Sequence, residues 1–403
     1  MMAFVHVNRF GFFLWLLLIA CSNSTNRSDR VYPLSAPWER AIAFQQPPEG
    51  LDDLSASSCG ECHQEIFAEW KASNHALAFQ DLQFQAEWAK DDSLWLCLNC
   101  HTPLQNQQPF LITGKYGNDP LKPVKKVNPD YDSRLQHEGI TCAVCHVRDG
   151  AVIGVGEPSE EAPHAIHPEL RMDVAVCLQC HNVSARVTPT LVCQFQTGDE
   201  WQAGPYDDSG QDCITCHMPV VYRSPTFASK PRWMRRHTWV GSPIPKIQGP
   251  SQMVEGYIRG LDIEVYLPPQ SGHEDSLFVT LRLRNSRAGH DLPTGDPEYF
   301  ITIDLVFFNR NQQVLQDTTF RIGQQWQWWP RAQKLADNRL KPLEERAHFV
   351  GIPSSSSEAA YLEVTATFHR MTEANARAAG LSGIYPIRTV IYHKRFDLAD
   401  TTN

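Results

Sequence analysis

The chain has 403 residues, twelve of them cysteines, and a formal net charge of −9. That length suffices for about two domains. The acidic balance argues against a nucleic acid as partner, because nucleic-acid binding requires a basic face. Beyond the N-terminus, no stretch approaches the roughly 18 consecutive apolar residues that a membrane helix needs.

The first twenty residues have the pattern of an export signal. Arg9 precedes an apolar run over residues 10–20, which is too short for a membrane span but suits the hydrophobic part of a signal peptide. The run ends at Ala20 and Cys21, and a small residue directly before a cysteine resembles the lipobox of bacterial lipoproteins. We therefore expect residues 1–20 to be removed and Cys21 to be acylated. The protein would then be tethered by lipid to a membrane of the cell envelope, on the periplasmic or the outer side, with residues 21–54 as a linker.

Ten of the twelve cysteines form five pairs, each with two residues between the cysteines and a histidine directly after the second. The pairs are Cys59 and Cys62, Cys97 and Cys100, Cys142 and Cys145, Cys177 and Cys180, and Cys213 and Cys216. The histidines that follow them are His63, His101, His146, His181 and His217. In c-type cytochromes this pattern attaches haem, with the two thiols bonded to the porphyrin and the histidine bound to the iron. A structural zinc site does not require the histidine, and a redox dithiol would occur once. The sequence therefore predicts five covalently attached c-type haems.

The spacing of these motifs predicts how the haems are arranged. Successive motifs begin 35 to 45 residues apart, and units that short cannot build hydrophobic cores of their own. We therefore expect the haems to pack against one another inside a thin shell of helix and loop over residues 55–254. Porphyrins in near contact form a path for electrons.

Further histidines are candidates for the sixth iron ligand. His75 lies in a helix-compatible stretch after the first motif, His137 precedes the third motif, and His237 follows the fifth. His290 lies in the segment AGHDLPTG. Four histidines of the later part of the chain are predicted not to bind iron: His273, His348, His369 and His393.

Several of these contexts resemble the cytochrome c-554 family, a group of multihaem cytochromes related to hydroxylamine oxidoreductase and pentahaem nitrite reductase. The segments that carry the resemblance are EWKASNHA, HEGITCAVCH, WQAGPYDDSGQDCITCHMP, RRHTWVG and AGHDLPTG, within residues 55–300. The resemblance implies two histidine ligands for each iron. It makes His75, His137, His237 and His290 the matching distal ligands, with His164 or His167 as the fifth.

Nitrite reductases of this group carry a lysine in place of the motif histidine at their active haem. All five motifs here end in histidine, which favours an electron carrier over an enzyme. The alternative is an oxidoreductase in which one haem binds a small nitrogen or sulfur compound. Cys193 has no cysteine partner if Cys21 is acylated. It is predicted to be a buried free thiol, and a thiolate beside a haem is the alternative.

After about residue 255 the pattern changes to short apolar or alternating runs. Strands are predicted over residues 261–267, 277–284, 300–308, 360–368 and 387–392. One helix is predicted over residues 372–379, with Thr372 as its N-cap. The aromatic run over residues 325–330 is predicted to pack in the core or on an edge strand.

These patterns predict an α + β multidomain fold, in which a mostly helical and loop-like multihaem cytochrome domain is followed by an antiparallel β-sandwich-like domain over residues 255–403. We expect a lipid-anchored pentahaem cytochrome that passes electrons between a donor and an acceptor protein. We assign the β domain a structural role, since a fold alone does not specify a reaction.

Overall fold

A computed structural model describes residues 28–154, 162–246, 259–267, 278–352 and 359–398. The predicted signal peptide, Cys21, His273 and the predicted domain boundary at residues 254 and 255 lie outside the described residues, so the division into domains stays a prediction. Within the described ranges, no helix is long and apolar enough to cross a bilayer.

Short helices carry the five cysteine motifs. The helices before residue 247 are α1 (Ala56–Cys62), α2 (Gln64–Lys71), α3 (Leu82–Lys90), α4 (Trp95–His101), α5 (Ser133–His137), α6 (Cys142–His146), α7 (Ala175–His181), α8 (Thr197–Gln202) and α9 (Cys213–His217). Each motif occupies about one helical turn, and positions three apart on a helix share one face. Both thiols of a motif therefore lie on the same side of their helix. Helices this short are not stable alone, so their stability depends on packing.

Small sheets lie between these helices, and the sequence analysis did not predict them. They are formed by β1 (Val31–Tyr32) with β2 (Phe110–Tyr116) and β3 (Pro123–Val127), by β4 (Val147–Arg148) with β5 (Ala151–Gly154) and β6 (Ile166–Arg171), by β7 (Asn182–Arg186) with β8 (Val192–Gln196), and by β9 (Val220–Arg223) with β10 (Arg232–Arg235). Strands β4 and β7 begin directly after His146 and His181. The part before residue 247 is therefore less helical than predicted.

Two antiparallel sheets make up the later part of the chain. One contains β11 (Leu261–Tyr266), β12 (Phe278–Asn285) and β16 (Glu345–Gly351) in that order. The other contains β13 (Phe300–Asn309), β14 (Val314–Gln327), β15 (Gln333–Asp337), β17 (Ala359–His369) and β18 (Arg388–Asp397), in the order β15-β14-β13-β17-β18. Helix α10 (Glu373–Ala378) follows β17, and the Thr372 hydroxyl accepts a hydrogen bond from the Asn375 amide at 3.1 Å. The predicted strands and the predicted N-cap are confirmed.

The two later sheets share one hydrophobic core. Leu281 and Leu283 of β12, Leu305 of β13 and Val364 of β17 all have 0% of their surface exposed and belong to one cluster. Residues of β12, β13 and β17 alternate between this core and the outer face, as the two-residue period of a strand requires. Burying one such side chain contributes roughly 1.5–3 kcal/mol, so these alternating positions hold the two sheets together.

The aromatic run over residues 325–330 differs in part from its prediction. The rings of Trp326 and Trp328 stack with centroids 5.1 Å apart, and Trp326 lies in β14, which pairs with β15. Trp329 follows the strand and has 78% of its surface exposed. The core-packing prediction is therefore wrong for Trp329.

Polar contacts join the two parts of the chain. Asp81, just before α3, accepts a hydrogen bond from the Tyr385 hydroxyl at 2.6 Å and forms an ion pair with Lys246 at 2.5 Å. Glu200 of α8 forms an ion pair with Arg339 at 2.5 Å. The motif region is thus held against the β sheets by buried or half-buried charges.

Candidate haem-binding sites

The five motifs lie next to one another in space. The thiol of Cys59 is within hydrogen-bonding reach of Cys142, and the Cys177 thiol is within reach of Cys213. Cys100 and Cys180 form a third such contact. The first motif therefore adjoins the third, the second adjoins the fourth, and the fourth adjoins the fifth. The thiols of Cys145 and Cys177 also interact electrostatically, which links the third motif to the fourth and makes the five motifs one connected set.

Three imidazole pairs join a motif histidine to a histidine from another part of the chain. The ring centroids of His146 and His237 are 6.0 Å apart. Those of His181 and His75 are 6.3 Å apart, and those of His217 and His290 are 6.2 Å apart. His75, His237 and His290 are three of the four distal ligands that the resemblance implies.

These separations fit one metal ion between the two rings of each pair. A metal bound through Nε2 of both rings, with each bond about 2 Å long as for other histidine–metal bonds, separates the centroids by about 6 Å. Parallel rings in direct face-to-face contact are closer, as Phe84 and His101 are at 3.7 Å, whereas the nearly parallel rings of His217 and His290 are 6.2 Å apart. The donor set, two imidazoles beside a pair of cysteines, is the one that a c-type haem with two histidine ligands requires.

Backbone carbonyls fix the orientation of most of these rings through Nδ1. His146 is bonded to the Ile153 carbonyl at 2.9 Å and His217 to the Val240 carbonyl at 2.8 Å. His290 is bonded to its neighbour Asp291 at 2.9 Å, and His237 to Arg235 at 3.1 Å. A histidine that donates Nδ1–H to a carbonyl leaves Nε2 unprotonated and free to bind a metal. These contacts therefore suit the rings for ligation.

Burial keeps the distal rings neutral. Together with the nearby His181, it lowers the pKa of His75 to about 3. Burial also lowers the pKa of His237 and of His290 to about 4. Because only a neutral imidazole binds a metal, a low pKa keeps these side chains ready as ligands over the physiological pH range.

Near the first motif, His164 and His167 have different surroundings. Burial lowers the pKa of His164, and His63 lowers it further, so the two imidazoles lie within electrostatic reach. The Nδ1 atom of His164 is buried and has no hydrogen-bond partner among the described residues. In contrast, Nδ1 of His167 accepts hydrogen bonds from the amides of Glu169 and Leu170, at 3.2 and 2.9 Å. A neutral histidine that accepts at Nδ1 carries its proton on Nε2, which cannot then bind a metal.

The second motif has different neighbours. The ring of His101 is stacked against Phe84, and its Nδ1 is bonded to the Ala78 carbonyl at 2.7 Å. His137, the distal ligand implied by the resemblance, is exposed, and its ring packs edge-on against Phe79 at 5.4 Å. In the part of the chain that the structure describes, no imidazole faces His101 at the distance found in the three pairs.

A cluster of buried ionisable groups lies beside the second motif, and the sequence analysis did not find it. Burial and the neighbouring Asp296 together raise the pKa of Glu87 to about 7 and that of Glu298 to about 8. Lys246 and Asp81 interact electrostatically with His101. These groups come from distant segments, so no local pattern marks them.

Cys193 of β8 lies at the edge of this cluster. Its thiol interacts electrostatically with Cys97 and Cys100 of the second motif. Burial, together with the neighbouring Cys100 and Asp91, raises its pKa to about 12. At neutral pH this side chain is therefore a protonated thiol, as expected for a buried free cysteine.

Comparisons with known proteins agree with this arrangement. Residues 58–147, which contain the first three motifs, match the family described as Cytochrome c554 and c-prime. The chain is similar in fold to a penta-heme cytochrome c552 from Thermochromatium tepidum, with a TM-score of 0.60 and 18% sequence identity, over 87% of this chain and 100% of that chain. A beta-glucuronidase from Bacteroides uniformis matches with a TM-score of 0.16 and 13% identity, over 34% of this chain and 12% of that chain, and this likeness carries no argument. A search of curated proteins gives no match.

Three observations support the same conclusion: the cysteine motifs, the paired imidazoles and the likeness in fold. The family match places three motifs in a known cytochrome context, and the fold likeness extends over most of the chain. Together they support a multihaem c-type cytochrome with covalently bound haem that takes part in electron transfer.

Proposed function

We propose that this chain is a pentahaem electron relay of the bacterial cell envelope, anchored to a membrane through acylated Cys21. The observation that carries the proposal is the set of three imidazole pairs, with ring centroids 6.0 to 6.3 Å apart. Each pair adjoins a cysteine motif that would hold the porphyrin. Bound haem supplies a one-electron redox centre, and the protein sets its potential through axial ligands, burial and nearby charge.

The pairs support two histidine ligands for each of three of the five proposed irons. His146 and His237 would bind the third iron, His181 and His75 the fourth, and His217 and His290 the fifth. For the first iron, His63 would be one ligand. The surroundings of the two Nδ1 atoms favour His164 over His167 as the other. For the second, His101 is the proximal ligand, and the implied distal ligand His137 would have to move from its exposed position.

The connections between the motifs support electron transfer from one haem site to the next. The thiol interactions between Cys59 and Cys142 and between Cys177 and Cys213, with the electrostatic interaction between Cys145 and Cys177, link the first, third, fourth and fifth sites in one row. The second site branches from the fourth through Cys100 and Cys180. An electron donor and an acceptor bound at different ends of this row would be connected without a diffusing carrier.

The export signal and the motifs support an envelope location, since the lipobox-like sequence at Cys21 predicts a lipid anchor. Expression with a covalent haem-attachment system, followed by intact-protein mass spectrometry, tests both features. The expected mass corresponds to five haems on a chain that begins at Cys21 and carries acyl groups. A colourless product, or a mass equal to that of the polypeptide and acyl groups alone, would overturn the proposal.

A second candidate is an oxidoreductase whose second haem binds a small nitrogen or sulfur compound. It is favoured by His101, which faces no imidazole among the described residues and lies beside Lys246 and Asp81. Electron paramagnetic resonance distinguishes the two functions. A relay gives five low-spin signals, whereas the enzyme gives one high-spin signal that changes when nitrite or hydroxylamine is added.

A further inference from the structure

The hairpin formed by β9 and β10, residues 220–235, differs in charge from the rest of the chain. Residues 218–240 contain five arginine or lysine side chains and no aspartate or glutamate, in a protein with a net charge of −9. The five are Arg223, Lys230, Arg232, Arg235 and Arg236. This segment is therefore a local basic feature on an acidic protein.

Four of the five cations fall into two groups, and the fifth, Arg235, donates a hydrogen bond to the Met218 carbonyl at 3.2 Å. Arg223 and Arg236 form ion pairs with Glu69 of α2, at 2.7 and 2.9 Å, and so hold the hairpin against that helix. Lys230 and Arg232 are exposed, and within the ranges that the structure describes neither forms an ion pair. Among the residues that the structure describes, no ion pair compensates their charge, which a partner could therefore use.

One face of the hairpin is aromatic and exposed. The rings of Tyr222 and Trp233 lie opposite each other on the two strands, with centroids 5.3 Å apart. Their exposed fractions are 60% and 72%, and Phe227 in the connecting turn is 80% exposed. Tyrosine, tryptophan and phenylalanine are enriched at protein–protein interfaces. Exposed apolar groups that adjoin one another, as Tyr222 and Trp233 do, mark interaction sites more often than singly exposed ones.

The same hairpin contacts the candidate haem ligands. The Pro225 carbonyl, between the strands, is bonded to Nδ1 of His63 at 2.9 Å. The Arg235 carbonyl in β10 is bonded to Nδ1 of His237 at 3.1 Å. A partner bound to the hairpin would therefore contact residues that are themselves hydrogen-bonded to candidate ligands of the first and third sites.

We propose that the β9–β10 hairpin is the docking surface for an acidic redox protein, which contacts the aromatic face and is oriented by Lys230 and Arg232. This inference rests on the proposed relay function and identifies where one of its partners binds. Complementary charge is expected to act mainly on the association rate, since it steers the encounter more than it stabilises the complex. An anionic membrane surface would also be attracted to Lys230 and Arg232. Binding to such a surface in place of a redox protein would contradict the proposal.

The test uses the haem-loaded protein and an acidic plant-type ferredoxin, reduced beforehand, as the probe. Stopped-flow absorbance gives the rate constant for haem reduction at increasing ionic strength. For the unmodified protein, the rate constant should fall as salt is added, because the Debye length shrinks from about 10 Å at 0.1 M to about 3 Å at 1 M. The double variant Lys230→Glu/Arg232→Glu should lower the rate constant at low salt by about tenfold or more, with little difference remaining at high salt.

Two controls accompany this variant. Lys125→Glu/Lys126→Glu makes the same charge change on β3, whose lysines are also exposed, and should leave the ferredoxin rate within about twofold of the original. Trp233→Ala should weaken the reaction at high salt as well, because it removes apolar contact rather than charge. Reduction by a small neutral flavin reports whether the haems of every variant still accept electrons.

The outcomes separate the docking proposal from the relay proposal. If the neutral flavin reduces the haems but charge reversal at Lys230 and Arg232 leaves the ferredoxin rate unchanged, the docking surface is wrong and the relay stands. If no reductant reduces the haems, the relay itself fails. If charge reversal abolishes binding to phosphatidylserine vesicles and leaves the ferredoxin rate intact, the hairpin faces a membrane and the proposal is overturned.

Discussion

The imidazole of His290 faces that of His217 with ring centroids 6.2 Å apart and an angle of 13° between their planes. His217 ends the fifth motif helix, whereas His290 lies between β12 and β13. The later part of the chain therefore contributes a candidate ligand to the motif region, so the β sheets and the fifth site form one structural unit.

Replacing His290 tests this relationship. In His290→Met, the haem should remain attached through Cys213, Cys216 and His217. The potential of one centre should rise by a fraction of the roughly 0.8 V that axial ligands span, since a thioether raises it. Spectroelectrochemical titration measures the shift. His393→Met, at a histidine predicted not to bind iron, is the matched control, and equal titration curves for the two variants would contradict the assignment.

His164 and His167 give a paired test for the first site. Because Nδ1 of His167 already accepts two backbone amides, His167→Ala should leave all low-spin signals in place. His164→Ala should convert one low-spin haem to a high-spin centre, detected by electron paramagnetic resonance. The reverse pattern would assign the first iron to His167 instead.

The ion pair between Asp81 and Lys246 should contribute strongly to stability. Asp81→Asn removes the counter-charge of the Lys246 ammonium, whose side chain is 20% exposed. Such a change costs up to about 3–5 kcal/mol when the pair is fully buried. Chemical denaturation of the haem-loaded protein measures the free energy of unfolding. Asp119→Asn removes the partner of Lys122 in an ion pair whose side chains are 37% and 62% exposed, and should cost no more than about 1 kcal/mol. Similar losses for both variants would contradict the prediction.

The buried carboxyls beside the second motif predict how stability depends on pH. Burial and Asp296 raise the pKa of Glu298 from 4.5 to about 8, so the folded protein retains a proton that the unfolded chain has released. Stability from this group is fully present below pH 4.5 and is lost as the pH rises through about 8. The free energy of unfolding should fall over this window by up to about 1.4 kcal/mol per pH unit for each such proton.

Glu298→Gln removes one of these protons, so its free energy of unfolding should fall less steeply with pH. Denaturation at several pH values between about 5 and 8 measures the slope. The exposed Glu345 provides the control variant Glu345→Gln, which should keep the original slope. If Glu298→Gln keeps that slope too, the proton is bound elsewhere.

The sequence alone predicted the attachment sites, and it determined the β strands. Two thiols and the following histidine lie within about one turn of helix, so their geometry is local and the spacing of Cys142, Cys145 and His146 suffices to specify it. The β strands could also be predicted from the sequence, because a buried face imposes a two-residue period on segments such as Phe300–Asn309. The cysteine motif and the strand pattern both depend only on residues that are close together in the sequence.

Only the tertiary structure decided which distant histidine faces which motif. His75 follows the first motif in the sequence, but its ring faces His181 of the fourth. The carboxyls of Glu87 and Glu298, separated by most of the chain, share one buried cluster through Asp296. These arrangements arise because the imidazoles and carboxyls are brought together by packing between segments far apart in sequence, and residue spacing carries no information about such contacts.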